Sequence, residues 1–326
     1  MKKMYGINIE LTTCCPLHCP QCYCTLTGGK HIDIEIAKKK IVEAGAHGVK
    51  QVHLSGGETM CYPYLYELIE CAAVNCGEVN VALSGYKFDS MVLNKLINSG
   101  VSGIFISLNG STKEINELTR DGYELAINAL KCLSENNFDN TYLNWVMHSN
   151  NCDDFLNMIS LAEKYKVKNL VILSFKPDSN KELLTFPSGE QIRMIASQIK
   201  SYSGTVKIGV ETCFSQMLAV LLDTPLFGNL NVGANKGCRA GKYNYCINVD
   251  GYYSPCRHLD YYENYDSLEE YLNKSTVIKQ IEEVEKSKRE PCNKCKYSDY
   301  CKPCLAVNSK MNNDIYIGHK ICSLWQ

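Results

Sequence analysis

The stretch "YGINIELTTCCPLHCPQCYC" (residues 5–24) decides how the rest of the chain is read. Its first half, YGINIEL, alternates apolar and polar residues as a short β-strand does. Its second half packs five cysteines into the eleven residues 14–24. A loop carries thiols at that density only to hold something or to react. Disulfides, zinc, an iron–sulfur cluster and a redox pair are the options at this point.

Composition and compartment narrow them. The 326 residues carry 34 Lys+Arg against 35 Asp+Glu, for a net charge of −1. That balance lacks the field by which nucleic acid or an anionic membrane is recognised, so neither is expected as a partner. Apolar runs such as Met217–Leu222 are too short to span a bilayer. The N-terminus "MKKMYGINIEL" lacks the apolar stretch and small-residue cleavage site of a signal peptide, which predicts a cytoplasmic protein. In a reducing compartment, 19 cysteines point to metal or catalysis rather than to staples. Five lie at 14–24, eight at 238–322, and six are scattered between.

Outward from the opening strand, apolar runs alternate with helical patterns up to about residue 200. Strands are predicted at 5–11, 50–54, 79–83, 103–108, 141–147 and 169–174, with helices near 33–45, 62–75, 88–98, 120–136, 151–166 and 188–201. Asp33 and Asp89 stand at N-cap positions, and Gly48 and Gly100 follow helices as C-caps do. The run "AKKK" (37–40) is expected on the solvated face of the first helix. Six strand–helix repeats call for a parallel sheet with right-handed crossovers, as a partial barrel or an open doubly wound sheet. Either form gathers reactive residues just after the strands.

After about 205 the rhythm is lost. A strand, a helix at Ser215–Leu222 and a Gly/Asn-rich connector lead to a hairpin, "YCINVDGYYSPC", turned at Asp250-Gly251. A charged helical segment (267–290) and a cysteine-rich tail complete the chain. A domain boundary is placed near 225, giving units 1–224 and 225–326. No internal repeat stands out.

Cys15, Cys19 and Cys22 are separated by three and two residues and directly follow the first strand. Three thiolates on one short loop hold three irons of a four-iron cubane and leave the fourth without a protein ligand. The alternative is a zinc site using any four of the five thiols, although zinc ligand pairs usually arrive as two separated knuckles. With Tyr23 after the last cysteine, "ELT" at 10–12 before the loop and Leu17 within it, this segment resembles the radical SAM family. The resemblance implies a partial (β/α)6 barrel. It also implies S-adenosylmethionine bound to the open iron and cleaved to a 5′-deoxyadenosyl radical that abstracts hydrogen from a substrate.

Three further segments fit that likeness. "LSGGET" (54–59) comes after the second strand and matches the family's motif for the methionyl amino group, with Gly56, Gly57 and Glu58. "FISLNG" (105–110) resembles the family's Ser-Leu-Asp-Gly segment, with Asn109 in place of the acid. Ser107 and Arg120 are then candidates for the methionyl carboxylate, with a helix cap and a solvated arginine as the plain alternatives. Asn144 and His148, on or after the fifth strand, are placed to reach nucleoside or substrate.

The second cysteine set resembles the SPASM extension of a subgroup of the family. Cys238 is followed by twelve residues, Gly251, four residues and Cys256; then come Cys292, Cys295, Cys301, Cys304 and Cys322. Two residues rather than the usual three precede the fourth clustered cysteine. By family connectivity one auxiliary four-iron cluster takes Cys238, Cys246, Cys256 and Cys304, and the second takes Cys292, Cys295, Cys301 and Cys322. If Cys246 does not bind, the first cluster keeps an open iron. A pair of zinc ribbons is the alternative, against which only five residues separate "CNKC" from "CKPC".

The likeness therefore implies three 4Fe-4S clusters, S-adenosylmethionine and a small-protein electron donor such as flavodoxin or ferredoxin. It implies a peptide or protein substrate, delivered directly or by a separate recognition protein. Oxidative cross-linking of a ribosomally made precursor peptide, thioether or carbon–carbon, is the expected reaction. Formylglycine formation comes next; the aspartate that such enzymes carry after the cysteine matching Cys256 is Arg257 here. Epimerisation needs a thiol to return hydrogen, and Cys213 in "VETCFS" is the candidate, with a buried structural cysteine as its plain reading. Tyr243, Tyr245, Tyr252, Tyr253, Tyr261, Tyr262 and Tyr265 are read as the floor of a peptide groove. A non-catalytic iron–sulfur carrier or zinc scaffold is the reading of a different class.

Overall fold

A computed structural model describes residues 4–312 apart from 25, 27, 177–185, 223–229, 232–236, 287–289, 291, 297, 299 and 300. Eight strands run parallel in chain order: β1 (Gly6–Glu10), β2 (Gln51–Ser55), β3 (Glu78–Leu83), β4 (Gly103–Ser107), β5 (Thr141–Met147), β6 (Asn169–Ser174), β7 (Lys207–Val210) and β8 (Leu230–Asn231). The order never reverses, so the sheet has no switch point of the doubly wound kind and is that of a partial barrel. Two more strands, β9 (Asn244–Ile247) and β10 (Tyr253–Ser254), extend it past β1. Strand β9 lies parallel to β1, with Asn8 opposite Cys246, and β10 returns antiparallel.

The helices are α1 (Ile34–Ala46), α2 (Leu65–Asn75), α3 (Ser90–Asn98), α4 (Lys113–Glu117), α5 (Tyr123–Glu135), α6 (Phe155–Lys164), α7 (Gly189–Ser201), α8 (Ser215–Leu222), α9 (Leu268–Lys274), α10 (Thr276–Lys286) and α11 (Leu305–Asn312). Asp33 accepts from the N–H groups of Glu35 and Ile36, and Asp89 from that of Val92, as expected of caps. Gly48 and Gly100 take left-handed φ values of 79° and 96°. The expected solvated face of "AKKK" is wrong in one place. Lys40 is buried, donating from Nζ to the Tyr265 carbonyl at 3.1 Å with its ammonium 3.9 Å from the Tyr253 ring centre. Its position four residues before Ala44, on the apolar stripe of α1, turns its stem inward while the charge finds an aromatic face.

The main core lies between the sheet and its helices, from Ile7 and Ile9 on β1 to Ile208 on β7, and takes in Tyr245, Tyr253 and Tyr271 from the later segment. Tyr253 stacks on Tyr271 with ring centres 4.8 Å apart. Tyr245 and Tyr253 therefore belong to the interior and not to a groove floor; Tyr243, Tyr252, Tyr261 and Tyr262 are exposed. A smaller second core gathers Ala240, Leu259, Val277, Ile281 and Cys304 to Val307, with Cys213, Cys238 and Cys256 packed against it. Among the described residues no helix is long and apolar enough to cross a membrane.

Candidate active site

Strand β1 ends at Glu10, and the cysteine loop after it is pinned against the turn that leaves β2. Gly57 donates to the Thr12 carbonyl at 2.7 Å and Glu58 N–H to the Cys14 carbonyl at 2.8 Å. Only glycine fits this approach: a Cβ at Gly57 would stand 2.3 Å from the Cys14 oxygen, and one at Gly56 2.7 Å from that of Thr12. From the other side Gln21 N–H donates to the Thr119 carbonyl at 3.1 Å and His18 N–H to an Asp121 carboxylate oxygen at 3.3 Å. The loop is thus clamped between the end of β2 and the segment before α5.

Cys15, Cys19 and Cys22 are half-buried and line one cleft together with Tyr23, Gly56, Gly57, Glu58, Ser107, Arg120 and Asn144. Every site residue assigned to S-adenosylmethionine from sequence is in that wall. His148 is not; it is buried behind it, with Nε2 3.1 Å from Thr119 Oγ1. Burial pushes the Cys15 thiol up to about 11, with Cys19 and Cys22 acting on it in the same sense. Such a thiol stays protonated until a cation takes the thiolate. The three cysteines share one loop and one cleft, and an all-sulfur donor set fits an iron–sulfur cluster. Among the described residues no three His, Cys, Asp or Glu side chains converge as ligands of one ion. The thiolates of a four-iron cube stand on separate corners, wider apart than those around one zinc.

Glu58 is buried, and its carboxylate accepts from Met60 N–H at 3.1 Å, Ser84 N–H at 3.0 Å and the Ser84 hydroxyl. Burial raises its pKa, and those donors and Arg120 oppose the rise. Arg120 is held by its own Nε donating to the Ser107 carbonyl at 3.0 Å, which leaves its terminal nitrogens toward the cleft. Asn109, where the family pattern has an acid, acts as a buried latch: its amide donates to Gln21 Oε1 at 2.7 Å and Thr119 Oγ1 at 2.8 Å. Its Oδ1 accepts from Val146 N–H at 3.1 Å.

The far wall comes from residues that motif reading passed over. Arg257 and His258, just after Cys256, face Tyr23: the His258 ring meets it edge-on at 4.3 Å and the Arg257 guanidinium lies 5.4 Å from its centre. Arg257 Nε donates to His258 Nε2 at 3.4 Å, which puts the imidazole proton on Nδ1, a buried donor with no acceptor among the described residues. Lys176 and Glu211 form a partly buried ion pair in the cleft wall, and Glu211 also accepts from Ser174 N–H at 3.0 Å. The positions of Lys176 two residues past β6 and Glu211 directly after β7 were the signal available: chemistry gathers at strand ends.

Cys304 is part of the second core, and Cys213, Cys238 and Cys256 pack against it. Cys246 is fully buried in β9 with its thiol on the Ile247 carbonyl at 3.6 Å. Cys292 and Cys295 share a tight turn, and Cys295 N–H donates to the Cys292 carbonyl at 3.3 Å. Cys301 is half-buried, and Cys322 lies outside the described residues.

Residues 9–162, which build the cysteine loop, the Gly-Gly-Glu turn and the Ser107/Arg120 wall, match the model of the Radical SAM superfamily. They form a radical SAM domain. Over 169 residues the chain is 31% identical to the PqqA peptide cyclase of Ruegeria pomeroyi, covering 50% of this chain and 45% of that protein. Over 162 residues it is 27% identical to the mycofactocin maturase MftC of Mycobacterium ulcerans, covering 48% and 43%. The matches span about half the length of the curated relatives. The radical SAM domain and the segments beyond it are similar in fold to Streptococcus suis SuiB bound to the precursor peptide SuiA. There the TM-score is 0.81 at 14% identity, over 99% of this chain and 76% of that one. A similar likeness holds with anSMEcpe bound to AdoMet and the Cp18Cys peptide: TM-score 0.74 at 15% identity, over 96% and 93%.

Proposed function

We propose that the chain is a radical S-adenosylmethionine enzyme that takes hydrogen from a side chain of a ribosomally made precursor peptide and oxidatively cross-links it, through a thioether or a carbon–carbon bond. One observation carries this reading: a single cleft joins the Cys15/Cys19/Cys22 loop, the Gly56-Gly57-Glu58 turn and Ser107/Arg120 to a far wall contributed by the later cysteine-rich segment. Curated relatives include a peptide cyclase and a mycofactocin maturase, which supports a peptide as substrate.

A four-iron cluster on the three thiolates, with S-adenosylmethionine, supplies the hydrogen-abstracting radical when bound. The chain's residues do the rest. Glu58 offers a buried acceptor at the turn that two glycines hold against the loop, suited to the methionyl ammonium. Arg120, fixed by the Ser107 carbonyl, directs guanidinium N–H groups at the methionyl carboxylate. Tyr23, Arg257 and His258 close the opposite side and keep water from a reactive centre. The Lys176–Glu211 pair puts a buried cation between that cleft and the second cysteine group.

Two auxiliary clusters on the later cysteines would accept the electron that a substrate radical must shed. The full cofactor set is then three 4Fe-4S clusters and S-adenosylmethionine. The proposed setting is the cytoplasm, with a flavodoxin or ferredoxin as electron donor and a separate protein presenting the precursor. The test is anaerobic incubation of reconstituted protein with S-adenosylmethionine, a reductant and the peptide encoded beside the gene. The expected result is 5′-deoxyadenosine together with a peptide lighter by two hydrogens. Absence of 5′-deoxyadenosine refutes the enzyme reading. 5′-Deoxyadenosine with an unchanged peptide mass refutes the cross-link.

A further inference from the structure

The later cysteines do not all sit where family spacing puts them. Four cysteines from four separate segments pack at the second core: Cys213 after β7, Cys238, Cys256 after β10, and Cys304 at the start of α11. One atom draws three of those segments together. The Lys302 carbonyl accepts from Cys238 N–H at 3.3 Å and from the Ser215 hydroxyl, which itself lies 3.3 Å from the Cys213 carbonyl. Cys304 belongs to that core, and Cys213, Cys238 and Cys256 pack against it. His258 N–H donates to Cys256 Sγ at 3.5 Å, the kind of backbone donation that a ligating sulfur receives.

Cys246 stands apart from this group. It is held on both sides by sheet pairing, opposite Asn8 on β1 and Ser254 on β10. Its thiol is spent on the adjoining Ile247 carbonyl at 3.6 Å. It belongs to neither core cluster, although it is wholly buried.

We propose that Cys213, and not Cys246, completes with Cys238, Cys256 and Cys304 the thiolate cage of the first auxiliary four-iron cluster. This rests on the auxiliary-cluster reading above. Each of the four thiols gives up its proton on binding, and no iron is left for a substrate atom. The centre so formed passes electrons and does not hold the peptide. Cys213, as a ligand, is withdrawn from the role of hydrogen donor. Lys176, ion-paired with Glu211 two residues before Cys213, brings a fixed positive charge to that side of the cage.

The experiment uses the full chain carrying Cys15→Ala, Cys19→Ala and Cys22→Ala, so that only auxiliary iron remains. After anaerobic reconstitution this parent is expected to hold about eight irons. Adding Cys213→Ala is expected to remove about one to four of them and to give the resonance of a three-iron cluster on oxidation. Adding Cys246→Ala is expected to leave iron content and spectrum unchanged. Retention of all iron by the Cys213→Ala protein, or an equal loss from the Cys246→Ala protein, overturns the assignment. Should Cys213→Ala fail to fold by circular dichroism, Cys213→Ser keeps the side-chain volume. A Mössbauer spectrum with one iron site altered then supports the proposal, and an unaltered one overturns it. A parent that binds no iron refutes the auxiliary clusters themselves, which is a different failure from a wrong fourth ligand.

Discussion

Replacing Gly57 by alanine isolates the contact on which the cleft is built. Gly57 does not have a positive φ, so its backbone accepts a side chain and the whole effect is steric. The added Cβ would lie 2.3 Å from the Cys14 oxygen and 2.9 Å from its carbon, both backbone atoms with no rotamer to yield. Ordinary contact begins at 3.4 Å, so the loop and the turn must part by about 1.1 Å. That movement stretches the two hydrogen bonds, at 2.7 and 2.8 Å, that fix one to the other. Overpacking costs about 1–3 kcal/mol, and each weakened bond about 1 kcal/mol. Urea denaturation of the metal-free chain should show the stability loss. Calorimetric titration of the reconstituted protein should show S-adenosylmethionine binding weakened roughly tenfold or more, since about 1.4 kcal/mol is a factor of ten. Gly77→Ala is the control: a Cβ there meets nothing within 4 Å, but the φ of +97° is strained, so stability falls without a change in binding. A Gly57→Ala protein with wild-type denaturation midpoint and wild-type affinity would refute the clamp.

Other outcomes arise from buried charge and from the latch. Lys176→Met leaves the partly buried Glu211 carboxylate without its cation and should cost about 1–3 kcal/mol, most of it restored in Lys176→Met/Glu211→Leu; a double-mutant cycle by urea melts checks this. Asn109→Asp restores the family's acid but removes both donors that hold Gln21 and Thr119, so stability should fall by about 1–3 kcal/mol and not rise. Burial raises the Glu10 carboxyl to about 7, opposed by Arg257, so the folded chain holds a proton that the unfolded one gives up above 4.5. Stability therefore drops as pH climbs from 4.5 through 7. Glu10→Gln should abolish that drop, with a gain on the order of 3 kcal/mol at pH 8 and little near pH 5. His148 has the opposite sign on the acid side. Burial lowers it to about 4, so stability declines as pH falls from 6.5 toward 4, and His148→Gln should flatten that limb in pH-resolved thermal melts.

The barrel was legible because β1 to β6 are apolar runs of five to seven residues between capped helices, and local pattern settles such elements. The cleft was legible for a second reason: in a parallel sheet, position along the chain places a residue at a strand end. Cys15, Gly57, Ser107 and Asn144 came from that rule, and Lys176 and Glu211 were open to it. Pairing between distant segments did not show. Nothing in "YNYCINVD" says that β9 will lie on β1, and the two-residue period puts Cys246 in the sheet interior only once that neighbour is known. Cys213 gave no motif because its companions are 25, 43 and 91 residues away in sequence. Lys40 was misread because composition saw a charge run where packing saw one inward stripe.

The seating of β9 on β1 also governs how the chain can be cut. Tyr5 and Gly6 both donate to the Tyr243 carbonyl, and the register from Gly6–Asn244 to Ile9–Ile247 covers one whole flank of the first strand. A fragment ending before residue 237 would bare that flank, a row of unanswered amides beside Ile7 and Ile9. Such a strip recruits another copy of itself, so the front half of this molecule, expressed alone, should stick to its own kind rather than stay monomeric.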